Sequence, residues 1–113
     1  MKLQVSHGGA PAGTYLAQFV GVDTTNSNDF GPGLRWKFIV TQGELVGRML
    51  SRVTGDKPTP ANSCGKLLAG MLGQPLIVDK ELDPDQFIGR SFLVVVAPSK
   101  TGQTRIEAVI PAP

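Results

Sequence analysis

The chain has 113 residues, of which 41% are hydrophobic and 18% charged, a composition typical of one globular soluble domain and not of a disordered chain. The net charge of +2 is too small to indicate a partner by itself. The single cysteine, Cys64, excludes an internal disulfide. The single histidine, His7, has no second histidine or cysteine pair nearby, so we expect no metal site and no cofactor.

No segment approaches 18 consecutive apolar residues, so the sequence predicts no membrane span. Residues 1–13 lack the apolar run of a signal peptide. We therefore expect a cytoplasmic protein with one domain over residues 1–113, in which residues 1–12 form a loose N-terminal arm.

Five segments have the composition or alternation of β-strands. The second has the clearest alternation, with Trp36 and Phe38 on one side and Arg35 and Lys37 on the other. The first is apolar on both sides, as expected of a barrel strand that bends between two sheets, and Gly21 is the candidate for the bend. In chain order, the predicted strands are residues 14–23, 34–42, 46–54, 88–97 and 103–110.

The connections between these segments are predicted from their turn residues. Residues 24–33 are expected to form a polar loop, and Gly43 with Glu44 a tight hairpin turn. The acidic segment 79–85 is expected to be an exposed loop. On the third strand, we place the even-numbered side chains on the solvent face, and these are Arg48, Leu50 and Arg52.

One short helix is predicted between the third and fourth strands. Asn62 or Ser63 is a suitable N-cap, and Gly73 is a natural stop. The apolar stripe of this helix consists of Leu67, Leu68, Met71 and Leu72. Three strands, a helix and two strands follow one another in the oligonucleotide/oligosaccharide-binding (OB) barrel. We therefore predict an all-β fold, a five-stranded OB-type Greek-key barrel with one short helix between strands three and four.

Four segments of the chain resemble a known group of proteins. They are GTYLAQFVGVD (13–23), LRWKFIVTQGELVGRMLSRVTG (34–55), NSCGKLLAGMLG (62–73) and IGRSFLVVVAPS (88–99). With them the chain resembles the small OB-fold single-stranded-DNA-binding proteins of phages and bacterial genomes. The resemblance implies cytosolic binding of single strands in replication, recombination or repair. Housekeeping members often end in an acidic tail that recruits partners, whereas this sequence ends in Pro-Ala-Pro, which argues against that role.

In an OB barrel the ligand usually crosses strands two and three, between the loops that join strands one and two and strands four and five. Cations there follow a phosphate backbone, and aromatic rings stack on bases. The predicted nucleic-acid-binding cations are Arg35, Lys37, Arg48, Arg52, Lys57, Lys100 and Arg105. The predicted stacking residues are Tyr15 and Phe30, because Trp36 shares the parity of the core. A double change of Arg48 and Arg52 to Glu is expected to weaken binding without altering the thermal midpoint.

We thus predict sequence-independent binding of single-stranded DNA or RNA. The alternative is a protein-interaction module, as a homo-oligomer or a subunit of a larger assembly, with Ile39 and Leu50 among its contacts; the cations would then serve solubility. No enzyme and no catalytic residue is predicted. Cys64 lies at a helix N-terminus, which would lower its pKa, but a small buried residue is the more ordinary role for such a cysteine.

Overall fold

The computed structural model of the protein describes residues 10–27, 31–78, 81–99 and 102–113. It is mostly β, with five antiparallel strands in one sheet and one short α-helix, which confirms the predicted succession of elements. A 3-10 helix, Pro84–Phe87, precedes the fourth strand. The other elements are β1 (Gly13–Ser27), β2 (Gly31–Val40), β3 (Met49–Gly55), α1 (Ser63–Leu72), β4 (Ser91–Pro98) and β5 (Thr104–Pro111).

The strands lie in the order β3-β2-β1-β4-β5, and every neighbouring pair is antiparallel. The two strands at the ends of this order, β3 and β5, are the edges of the sheet, and the sheet is not closed. Helix α1 packs against both β5 and β3, so it lies where the two edges approach each other. In the described ranges no helix has the length and hydropathy that crossing a bilayer requires.

A β-bulge explains why the first strand is apolar on both sides. The pairing of β1 with β2 shifts between Phe19 and Gly21, which leaves Val20 without a partner in β2. Before the bulge, Ala17 and Phe19 are buried, whereas after it Val22 pairs with the buried Trp36 and turns inward. The expected bend at Gly21 is therefore present, with a φ of 143°.

The core is built around aromatic rings from three strands and the 3-10 helix. Trp36 and Phe38 of β2 are fully buried, which confirms the predicted direction of this strand. Phe19 and Phe38 have ring centroids 5.2 Å apart, and Phe92 meets Phe38 edge-on at 6.1 Å. Phe87 meets Phe92 edge-on as well. Such tilted and edge-to-face pairs add stability beyond the burial of their area.

The predicted ends of the helix are confirmed. The Asn62 side-chain oxygen accepts from the Gly65 N–H at 2.8 Å, as an N-cap does. Gly73 adopts a left-handed conformation with φ 80°, and its N–H donates to the Ala69 carbonyl at 2.9 Å. The stripe side chains of α1 are buried at Leu67, Leu68 and Met71 and half-buried at Leu72.

Two predicted connections are wrong because the backbone ladders set their lengths. The expected loop at 24–33 is largely a continuation of the β1–β2 ladder, which runs as far as the pair Ser27 and Gly31. The expected tight turn at Gly43 and Glu44 is an eight-residue connection, 41–48, in which Gly43 and Gly47 have positive φ. This longer connection delays the start of β3 to Met49.

Within the described residues, the acidic segment is an exposed loop at 81–83, as expected, and becomes helical only at its end. Its C-terminal part enters the 3-10 helix, where the Asp83 carboxylate accepts from the Asp85 N–H at 2.9 Å. Phe87 at the end of that helix is buried and anchors it to the core. Backbone bonds from Gly89 to Phe19 and from Phe19 to Arg90 then fix the approach to β4, which begins at Ser91 rather than at residue 88.

Part of the predicted N-terminal arm is tied to the sheet. Residues 1–9 of that arm lie outside the described residues. Ala10 is buried, and its carbonyl accepts from the Thr104 hydroxyl at 2.6 Å. The Tyr15 hydroxyl donates to the Pro11 carbonyl. The bond from Thr104 holds the chain just before β1 against the start of β5, and the bond from Tyr15 ties the same segment to β1.

Candidate nucleic-acid interface

We call the solvent side of β1, β2 and β3 the outer face. Directly opposite residues in antiparallel ladders share a side, so the registers define this face. Three rows of paired residues cross it. The rows are Gln18, Ile39 and Met49; then Gly21, Lys37 and Ser51; then Asp23, Arg35 and Val53. Helix α1 lies at β3 and β5 on the core side of this sheet and does not cover these rows.

The two predicted cations of β2 are both on the outer face. Arg35 is exposed, and no described carboxylate lies within ion-pair distance of it. Lys37 is less accessible, with 27% of its side chain exposed, and its ammonium lies 2.8 Å from a carboxylate oxygen of Asp23. Because this pair neutralises Lys37, Arg35 is the stronger cation on the outer face.

The predicted facing of β3 is wrong. Phe38 pairs with Leu50 and Trp36 pairs with Arg52, so Leu50 and Arg52 lie on the core side of the sheet. Leu50 is buried, and it cannot serve as the surface contact expected of it. The long connection 41–48 sets this register, and an error of one residue in the facing of a strand reverses all its side chains.

Arg52 connects the two edges of the sheet. Its guanidinium donates from Nη1 to the Ile106 carbonyl of β5 at 2.7 Å. Burial lowers the pKa of Arg52, and the positive charge of the nearby Arg105 lowers it further. Glu107 raises it, but the net result is a lowered pKa. Arg52 therefore has a structural position away from the outer face, and the prediction that it lines the groove with Arg35 is wrong.

The remaining predicted cations are dispersed. Arg48 is exposed just before β3, where its carbonyl accepts from the Val40 N–H at 2.9 Å. Lys57 is exposed in the loop after β3, and its carbonyl accepts from the Asn62 side chain. Arg105 is exposed on β5 and lies 3.6 Å from a carboxylate oxygen of Glu107. Lys100 lies outside the described residues.

No aromatic ring of the described residues lies on the outer face. Tyr15 is half-buried against the core, on the strand side that Ala17 and Phe19 share. The structure therefore does not bring Tyr15 together with Arg35. Phe30, the other predicted stacking residue, lies outside the described residues.

The outer face has more apolar surface than our sequence interpretation expected, because that interpretation included Ile39 but placed Met49 and Val53 on the core side. Met49 and Val53 are 47% and 54% exposed, and Ile39 lies opposite Met49. The sequence contains a signal for this surface. If Phe38 and Leu50 are paired as two core positions, every odd-numbered residue of β3 faces the solvent. The outer face therefore combines one accessible cation, one neutralised cation and exposed aliphatic side chains.

Cys64 does not have the surroundings of a reactive thiol. It is buried in the first turn of α1, and burial raises its pKa despite an opposing hydrogen bond with Thr54. This direction is opposite to the lowering of the pKa expected from the helix N-terminus. Within the described part of the chain, no group of three or more His, Cys, Asp or Glu side chains is arranged to hold a metal ion.

Comparisons of the chain with protein-family models, with curated proteins and with solved structures found no match.

Proposed function

We propose that the protein is an OB-type domain that binds single-stranded nucleic acid without strong sequence preference. The observation that supports this most is the strand order β3-β2-β1-β4-β5 with the helix after β3. An OB barrel forms from this order when β3 and β5 come together, and its ligands lie across strands two and three. The Arg52 bond to Ile106 and the packing of α1 on both edges support that closure.

The outer face has chemistry that suits a single strand. Arg35 is accessible for a phosphate, and Lys37 becomes available if a phosphate competes with Asp23. Met49 and Val53 offer aliphatic surface to bases. The β1–β2 hairpin extends beyond β3 and flanks this face at the position of the first ligand-binding loop. The outer face contains fewer cations than the sequence predicted, so we expect a modest affinity for single strands.

Direct binding to a labelled oligo-dT measures the proposed function. We expect binding at low salt that weakens as salt rises, because phosphate contacts release counterions. Replacing Arg35 by Ala should lower the slope of log affinity against log salt by roughly 0.7, the value for one phosphate contact in a single strand. Gln74→Glu, at an exposed position after α1, changes the net charge equally and serves as the control. Absence of binding at low salt would overturn the proposal.

The Lys37–Asp23 pair gives a sharper test, because the expected change is a gain. Asp23→Asn removes the neutralising carboxylate and should strengthen oligo-dT binding several-fold. Glu81→Gln, also exposed, adds the same net charge away from the outer face. Equal effects of the two variants would mean that only overall charge matters, and a local contact of Lys37 with the strand would be refuted.

A second candidate function is a protein-interaction module. Three aliphatic side chains on one sheet face favour it, the half-buried Ile39 and the exposed Met49 and Val53, since apolar positions at a sheet surface often mark contacts between chains. Light scattering after size exclusion should then show association that Met49→Lys with Val53→Lys abolishes. A monomer at all concentrations tested would remove self-association from consideration.

A further inference from the structure

A cleft lies between α1 and the two sheet edges, and its β3 residue, Arg52, is on the side of the sheet that faces away from the outer face. Its volume is about 440 Å³. The side chains that give it charge are Arg52 from β3, Lys66 from α1, and Arg105 and Glu107 from β5. Gly70 and Val109 form part of its wall.

Positive charge in the cleft exceeds negative charge. Three cations face one carboxylate, Glu107. Glu107 pairs with Arg105 at 3.6 Å, but both side chains are about half exposed, and such a pair contributes little. No described carboxylate lies within ion-pair distance of Lys66.

Arg52 is the least mobile cation of the cleft. It is half-buried, and its bond to the Ile106 carbonyl fixes the guanidinium without neutralising it. The positive charge of Arg105 acts unfavourably on that of Arg52. An anion between them would relieve this repulsion, because it would interact favourably with both guanidinium groups.

The wall beside these cations cannot easily collapse onto them. A Cβ at Gly70 would lie 2.1 Å from the Val109 carbonyl oxygen, so the helix and the strand touch backbone to backbone there. This close contact holds α1 and β5 at a fixed separation. The fold itself therefore keeps the cations of the cleft near one another.

We infer that this cleft binds a phosphate group, held by Arg52, Arg105 and Lys66. Two arginines and a lysine around one concave site match the oxygens of a phosphate group, since guanidinium groups donate two parallel hydrogen bonds to phosphate oxygens and the ammonium adds a point charge.

The phosphate has two possible sources, a free phosphate compound or the backbone of a polynucleotide. Titrations of the full chain with inorganic pyrophosphate and with oligo-dT, followed by the backbone amide signals of Lys66, Gly70 and Ala108, separate them. Saturable shifts with pyrophosphate indicate a site for free phosphates. Shifts with oligo-dT alone indicate that the strand backbone reaches the cleft.

The variants Lys66→Glu and Arg105→Glu change exposed residues and are expected to fold. Each should weaken the binding of whichever probe shifts the cleft signals by at least about tenfold, which is the loss of one charge-assisted contact. Lys57→Glu, an exposed cation that does not line the cleft, is the matched control and should change pyrophosphate binding less than twofold in the arm that uses this probe.

Two results would overturn the inference. One is the absence of saturable shifts at the cleft with both probes. The other is an equal effect of Lys57→Glu and Lys66→Glu on pyrophosphate binding, which would reduce the effect to overall charge. Neither result depends on the outer face, whose contribution is measured separately by Arg35→Ala and Asp23→Asn. The proposed function and the phosphate cleft can therefore fail independently.

Discussion

The indole N–H of Trp36 is a polar group inside an otherwise apolar core. The ring is fully buried, and Nε1 donates to the Thr54 hydroxyl oxygen at 2.8 Å. That hydroxyl in turn donates to the Gly55 carbonyl at 2.9 Å. Trp36 and Thr54 are on neighbouring strands, so this chain of hydrogen bonds joins β2 to the edge strand β3. A buried donor without a partner is costly, which makes Thr54 the residue that permits a tryptophan at this position.

Replacing Thr54 by Val tests that dependence at nearly constant volume. The change leaves the indole N–H unsatisfied and should lower the free energy of unfolding by about 1–3 kcal/mol. Urea denaturation followed by tryptophan fluorescence measures the effect. Thr24→Val, at an exposed position of β1, is the control and should change stability by less than about 0.5 kcal/mol. Equal stabilities of the two variants would contradict a role for the hydrogen bond.

At the scale of elements, the contact of α1 with β5 opposes the usual helix preference. Alanine is favoured over glycine inside a helix by up to about 1 kcal/mol. At residue 70, however, a Cβ would lie 2.1 Å from the Val109 carbonyl oxygen, a backbone atom that cannot turn away. The close packing of the two backbones therefore requires glycine at this position.

Gly70→Ala should destabilise the protein despite the gain in helix propensity. The helix must move away from β5, and overpacking of this kind costs typically about 1–3 kcal/mol. Lys66→Ala in the same helix is the control. Because the Lys66 side chain is exposed, the stability of this variant should remain close to that of the parent protein. Thermal unfolding of both variants gives the comparison. A stabilised Gly70→Ala would show that α1 does not approach β5 as closely as described.

The elements differ in how well the sequence predicts them. The helix was predicted with its cap and stop because Asn62 and Gly73 act through bonds within a few residues. The direction of β2 was predicted because Trp36 and Phe38 alternate with charges. The facing of β3 was predicted wrongly. It depends on the length of the glycine-containing connection before β3 and on the pairing of β3 with β2, which are not local features of the sequence.

At the scale of the whole molecule, the register of the strands, and not the charge pattern of the sequence, decides which of the predicted cations lie on the outer face. Arg35 and Lys37 were placed correctly because they belong to β2, but the pairing of Lys37 with Asp23 joins two strands and has no local signal. Arg52 was misplaced for the same reason as Leu50. The cleft behind the sheet combines residues from β3, α1 and β5, and only the tertiary fold brings them together.

A gap separates the two edge strands of the sheet, β3 and β5. The Arg52 guanidinium spans it by donating to the Ile106 carbonyl, so Arg52→Met should remove the connection while keeping the aliphatic packing of the stem. Because the guanidinium is half-exposed, we expect the free energy of unfolding to fall by about 1.5 kcal/mol, the lower end of the range for hydrogen bonds of charged groups. Hydrogen exchange should accelerate mainly at the amides of β3 and β5, since these edges would separate more easily.

Arg35→Met on the outer face is the matched control for Arg52→Met, because it removes the same charge from an exposed position without a described partner. Its stability and its exchange rates should stay close to those of the parent protein. Arg52→Glu should likewise lower the thermal midpoint, contrary to the sequence-based expectation for the double change with Arg48. If both methionine variants unfold alike, the Arg52 bond does not hold the two edges together, and their approach depends on other contacts, such as those of α1 with β3 and β5.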